Sequence, residues 1–129
     1  MKTVEIGRLG ETYAAKFLKK QGYRVLEKNR HQSHNEIDLI VCDKQYLVFV
    51  EVKARSVSED LYLTYGSPAS AVDRQKQRRT VRAAQAYLAS CKERHKKKQP
   101  RMDVVEVFLE KETYRLLKIN HITNAFGVS

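Results

Sequence analysis

Glu36-Ile37-Asp38 and Glu51-Val52-Lys53 set three acids and a lysine inside two stretches that otherwise read as buried strand, residues 36–42 and 46–53. Charged groups are rare in a sheet interior unless a partner or a cation compensates their desolvation. Carboxylate oxygens are the ligands that hard divalent cations such as Mg²⁺ and Mn²⁺ prefer. A lysine beside them can orient a water or stabilise charge developing on a phosphate. The set therefore suits metal-assisted phosphodiester hydrolysis, in which Mg²⁺ or Mn²⁺ offsets the phosphate charge and lowers the pKa of the attacking water. Asp38 and Glu51 would hold the cation and Lys53 would assist the water. Glu36 would stand behind them, as an outer partner or an ion pair. The plain alternative is a charged strand end at a sheet edge, because Glu-x-Lys is a common triplet.

The chemistry depends on register. Strand side chains alternate, so Glu51 and Lys53 share a face with Leu47 and Phe49, while Val48, Val50 and Val52 point the other way. Apolar residues on both faces imply a sheet covered on both sides. The short polar break at Asp43-Lys44-Gln45 predicts an antiparallel hairpin. A two-residue loop at Asp43-Lys44 would place Glu36 opposite Glu51, with Asp38 diagonally beside Glu51 on the same face. A four-residue loop over 42–45 keeps that register. A three-residue loop would separate Asp38 and Glu51 onto opposite faces and abolish the site.

The surrounding elements follow from spacing and punctuation. Ile6, Leu9, Gly10, Tyr13, Ala14 and Phe17 recur at helical spacing up to Gln21-Gly22. Residues 23–29 read as a first strand and 30–35 as a polar loop. Residues 55–66 read as a longer connection carrying Tyr62 and Tyr65, either base-stacking groups, part of a lid, or ordinary packing. Ser67-Pro68 suits a helix start, and Val72, Val81, Ala84 and Leu88 mark that helix's apolar stripe as far as Cys91. A basic turn over 92–100 precedes strands at 101–110 and 113–119, and 121–126 reads as a short terminal helix. The order α-β-β-β-α-β-β predicts an α/β sandwich around a mixed sheet.

At 129 residues the chain is one domain, large enough to bury a core without disulfides. Cys42 and Cys91 read as reduced thiols of a cytoplasmic protein. Residues 1–10 lack the apolar core of a signal peptide, and no apolar run approaches a membrane span. A net charge of +10 favours a polyanionic partner over a merely solubilising surface. Arg74, Arg78 and Arg82 repeat every four residues and so share a helix face; a solvated face is the plain alternative, but the excess of one sign favours phosphate contact. His31 and His34 lie in a loop without cysteine or further histidine nearby, and a polar turn is the better reading than a zinc site.

Asp38 followed by Glu51-Val-Lys53 resembles the PD-(D/E)xK nuclease superfamily, which includes restriction endonucleases and Holliday-junction resolvases. More narrowly, Gly7-Arg-Leu-Gly-Glu11, Glu36-Ile-Asp-Leu-Ile40, Phe49-Val-Glu-Val-Lys-Ala-Arg55, Gly66-Ser-Pro68, Lys76, Arg101-Met-Asp-Val-Val105 and Ile122-Thr-Asn-Ala-Phe126 resemble the YraN-like bacterial family over nearly the whole chain. The resemblance implies a single restriction-endonuclease-like domain over 1–129 and a Mg²⁺- or Mn²⁺-dependent endonuclease. It implies DNA ahead of RNA as substrate, with branched or structured DNA as a candidate, and a homodimer as a common state of resolvase-like relatives. It also implies that Glu11, matching a first-helix glutamate, completes the metal site of Asp38 and Glu51. On the same ground Arg55 and Lys76 join Arg74, Arg78 and Arg82 as nucleic-acid contacts. Two departures stand out: Ile37 replaces the motif's proline, and Asn35 stands where the narrower family has glycine, a position where Asn tolerates positive φ. The rival readings are a catalytically idle nucleic-acid-binding module with the same fold and a basic protein that docks onto an acidic protein.

Overall fold

A computed structural model of the chain describes residues 3–32, 34–58 and 74–126. The elements are α1 (Thr3–Lys20), β1 (Arg24–Gln32), β2 (Asn35–Cys42), β3 (Tyr46–Val57), α2 (Arg74–Ser90), α3 (Glu93–Lys96), β4 (Gln99–Glu110) and β5 (Leu116–Phe126). They form one five-stranded sheet in the order β1-β2-β3-β4-β5. Only the β3–β4 pair is parallel, because the chain crosses over through α2 between them; the other pairs are antiparallel. The mixed sheet and the element order agree with the sequence, with α3 added as a single turn inside the expected basic loop. Among the described residues, no helix is long and apolar enough to cross a membrane.

The two faces bury separate apolar clusters. Ala14, Ala15 and Leu18 of α1 pack on Leu39, Val41, Val48, Val50, Val105 and Val107. Ala83, Ala84 and Tyr87 of α2 pack on Ile40, Leu47, Phe49 and Met102. Each fully buried aliphatic side chain contributes about 1.5–3 kcal/mol by leaving water, so the sheet is anchored from both sides. The buried stripe of α2 is Thr80, Ala83, Ala84 and Tyr87, with Leu88 partly buried beside it, so the expected Ala84 and Leu88 pack on the sheet while Val81 turns aside. Val72, Ser67-Pro68, Tyr62 and Tyr65 lie outside the described residues.

Two glycines shape α1. Gly22 terminates it with φ +98, where the Tyr23 N–H closes back on the Leu18 carbonyl at 3.0 Å. Gly10 lets the helix approach β3: a Cβ there would stand 2.5 Å from the Ala54 Cβ. Gly10→Ala is therefore expected to push α1 off β3 and to cost about 1–3 kcal/mol, the usual range for overpacking. Thermal unfolding of the variant checks this, and an unchanged Tm would mean that α1 gives way without loss.

Three expectations give way to the structure. The loop expected at 30–35 is largely strand, since β1 runs to Gln32 and β2 starts at Asn35. Among the described residues of that turn the left-handed one is His34 (φ 64), not Asn35. Residues 121–126 continue β5 and do not form a helix. Asp103 explains the last point. It is fully buried, gripped by Arg101 through Nε and an Nη at 2.8 Å each, and touched by His121 Nε2 at 2.7 Å and the Asn124 N–H at 3.0 Å. Burial alone would raise this carboxyl, but the hydrogen bonds from His121 and Arg101 outweigh it and hold the group below its ordinary range. The carboxylate thus satisfies the backbone where β5 bulges away from β4, and the strand persists to Phe126.

Candidate functional site

The β2–β3 hairpin turns one residue later than the sequence suggests. Asp43 caps the turn with Oδ1, accepting the N–H groups of Gln45 and Tyr46 at 2.8 and 2.7 Å, and the Asp43 N–H meets the Tyr46 carbonyl. The loop is therefore Lys44-Gln45 and the pairing is Cys42 with Leu47 up to Leu39 with Val50. Relative to a turn at Asp43-Lys44, the register moves by two residues. Two is even, so the shift by itself moves no side chain to the other face, and Asp38 comes level with Glu51 instead of diagonal to it. Beyond Leu39 and Val50 the strands part, and Asp38 Oδ2 takes the freed Val52 N–H at 2.8 Å.

Strict alternation also breaks here. Ile37 and Ile40 both join the cluster under α2, while Leu39 joins the one under α1, so β2 changes face around Asp38. Directly across, between the Lys28–Leu39 and Arg30–Ile37 pairs of β1, Asn29 adopts φ 50. A paired distortion of both strands turns the Asp38 carboxylate towards the N-terminal half of α1. Glu11 meets it from there, and Glu36 from β2. One carboxylate oxygen from each of Glu11, Glu36 and Asp38 lies within 4.8 Å of the others.

The electrostatics record this crowding. Burial, then the negative charge of Glu51, pushes the Asp38 carboxyl up to about 7 from 3.8. Burial likewise raises Glu11, with Asn29 hydrogen-bonded to it in opposition and Glu36 adding repulsion. Glu51 stands beside this trio, buried on the α2 face with Leu47 and Phe49 as alternation requires. Its Oε1 is in contact with the Lys76 ammonium of α2 and lies 3.6 Å from Lys53 Nζ. Burial, followed by the adjacent Lys76, lowers the Lys53 pKa. For Lys76 burial opposes the charge, but the hydrogen bond to Glu51 outweighs it and raises the pKa.

The residues expected from sequence thus divide into two touching groups: Glu11, Glu36 and Asp38, then Glu51, Lys53 and Lys76. Three placements are revised. Glu36 is a full member of the acid cluster, Glu51 is not among the three clustered carboxylates and is instead tied to Lys76 and Lys53, and Lys76 belongs to the site and not only to a nucleic-acid path. Arg74, Arg78 and Arg82 are exposed on α2, as their spacing implies. Arg55 is half-buried with Nε 3.5 Å from Glu106 Oε2. Glu106 is a residue the sequence reading missed. It pairs in register with Lys53 and is fully buried, and burial raises its pKa. Asn29 was missed as well, since only its tolerance of positive φ sets it apart. All donors in the cluster are carboxylate oxygens beside an amide, a set suited to a hard divalent cation.

The site and sheet define an α/β protein with a carboxylate–lysine centre at the splayed end of a β-hairpin. Residues 10–107 match the uncharacterised protein family UPF0102. The chain belongs to that family, the YraN-like proteins it resembles in sequence. A UPF0102 protein of Caldanaerobacter subterraneus is 46% identical over 94% of this chain and 93% of its own length. One from Acetivibrio thermocellus is 45% identical over 93% and 89%. One from Dictyoglomus thermophilum is 37% identical over 98% and 100%.

Proposed function

We propose that the protein is a metal-dependent endonuclease of the restriction-endonuclease-like class, acting in the cytoplasm on DNA, with branched or structured DNA as the favoured substrate. The observation that carries this reading is the convergence of Glu11, Glu36 and Asp38 beside Glu51 and Lys53. Three acids held together by the fold, one of them pushed up to about 7, are a donor set in electrostatic deficit. A divalent cation, Mg²⁺ or Mn²⁺, would be held by Asp38 and Glu11 with Glu36 or Glu51, and would offset phosphate charge and acidify a water. Lys53, half sheltered beside Glu51, orients that water or meets the charge that develops on the phosphate. Lys76 holds Glu51 in place and links the site to the basic face of α2.

The test is incubation with linear, nicked, flapped and four-way DNA, with and without Mn²⁺. Metal-dependent cleavage is expected on at least one substrate and should disappear in Glu51→Gln. Salt-sensitive binding without cleavage would instead identify an idle nucleic-acid-binding module. No DNA binding at all would favour docking to an acidic protein.

The exposed arginines of α2 should supply affinity without sequence preference, because phosphates are the same at every step. Replacing Arg74, Arg78 and Arg82 together by Gln should flatten the log K against log salt slope by up to about three units, at roughly 0.9 per phosphate contact. Gln preserves helix propensity, so circular dichroism should be unchanged. An unchanged slope with normal affinity would show that this face is only solvated.

A further inference from the structure

A cavity of about 340 Å³ opens between β1, the end of α2 and α3, on the face of the sheet that α2 covers. Its wall carries three cations, Arg30, Lys92 and Arg94, against one acid, Glu27. The Arg30 guanidinium already holds Glu27 Oε1 at 3.2 Å, so no lining carboxylate remains for Lys92 and Arg94, both of which are exposed.

His95 supplies an independent observation. It is only 5% exposed, and Arg94 Nε lies 3.4 Å from its Nε2. Arginine is always a donor, so Nε2 accepts and the neutral ring carries its proton on Nδ1. The ring is kept neutral first by burial, then by the surrounding cations Arg94, Lys98, Arg24 and Lys92, which lower its pKa. Nδ1 is buried and has no hydrogen-bond partner among the described residues. A buried donor without an acceptor is unfavourable, and what is missing here is an acceptor.

We propose that this cavity is a phosphate-binding pocket distinct from the acid cluster, in which Lys92 and Arg94 take the charge and His95 donates from Nδ1. Nδ1 is buried, so its donation requires the exposed Lys92 and Arg94 side chains to shift as they take up the anion. A phosphoryl group presents several acceptor oxygens, which suits a guanidinium fork, an ammonium and an imidazole N–H together. The phosphate comes either free or as part of a nucleic-acid backbone. The second source rests on the nuclease reading; Arg30, which lines this cavity, directly follows Asn29, which borders the acid cluster on the α1 side of the sheet.

Cys91 lines the cavity and is partly exposed, whereas Cys42 is 4% exposed, so an excess of thiol reagent reads Cys91. Labelling is followed in chelator at constant ionic strength, with inorganic phosphate or a short single-stranded oligonucleotide as probe. Phosphate should slow labelling saturably, roughly tenfold at ten times its Kd, while equivalent chloride should not. Protection by the oligonucleotide alone would keep the pocket and identify the backbone as its source. In Lys92→Gln/Arg94→Gln, with unchanged Tm, protection should vanish. Protection by neither probe, equal protection by chloride, or protection that persists in the double variant would overturn the proposal. None of these outcomes depends on metal or cleavage, so the pocket and the nuclease reading fail separately.

Discussion

Lys53→Ala is expected to leave DNA affinity nearly intact and to slow cleavage at saturating DNA by about 10²-fold or more, the scale of losing one transition-state stabiliser. The side chain is 24% exposed and its Nζ lies 3.6 Å from Glu51, so it faces the buried carboxylate more than open solvent. A group that acts only as charge develops lowers the rate and spares the binding constant. Single-turnover rates at saturation, set against affinity measured without metal, separate the two. A fall in affinity with an unchanged saturated rate would make Lys53 a phosphate-binding residue and remove it from the chemistry. The neighbouring Lys76 offers an internal contrast. Its ammonium contacts Glu51 directly, so Lys76→Ala releases a buried acid and should disturb metal affinity as well as rate.

Much of this centre is legible in the sequence, because parity is robust. A shift of the hairpin by two residues leaves every side chain on its face, so Glu51 and Lys53 fall beside Phe49 whether the turn is at Asp43-Lys44 or Lys44-Gln45. The turn itself was misplaced because capping by the Asp43 side chain, not loop length, decides it. The face change at Asp38 was invisible. It needs a left-handed Asn29 on the neighbouring strand, and nothing in the local pattern of β1 announces that. Glu36 was underrated for the same reason, since simple alternation gives no reason for it to approach Glu11. The terminal strand was mistaken for a helix because its support is tertiary: Asp103, twenty residues upstream of the segment's centre by rough count, holds it through Asn124 and His121. Glu106 gave no signal, as a lone acid in an apolar run reads equally well as a strand edge.

Asp38→Asn is expected to destroy metal binding while making the metal-free protein more stable, a combination that a purely structural aspartate would not give. In the fold, burial and the charge of Glu51 push this carboxyl up to about 7 from 3.8. Between those values the folded chain holds a proton that the unfolded chain has released. Stability therefore falls as pH rises from about 4 to 7, and by pH 8 the folded state carries the whole penalty, on the order of 2–4 kcal/mol. Asparagine has no charge to bury, and its Oδ1 can still accept the Val52 N–H that Asp38 takes at 2.8 Å. In chelator at pH 8 the variant should unfold on the order of 10 °C above wild type, and the gap should close as pH falls towards 4. Saturating Mn²⁺ should reverse the order, because only the carboxylate gains from the cation by mass action. Calorimetry should find Mn²⁺ binding to wild type in the range of order 10⁻⁵ to 10⁻³ M, as weakly dehydrated carboxylate sites allow, and none to the variant. A variant that is less stable than wild type at pH 8 would mean that Asp38 is already compensated in the fold, and undiminished Mn²⁺ binding would place the metal elsewhere.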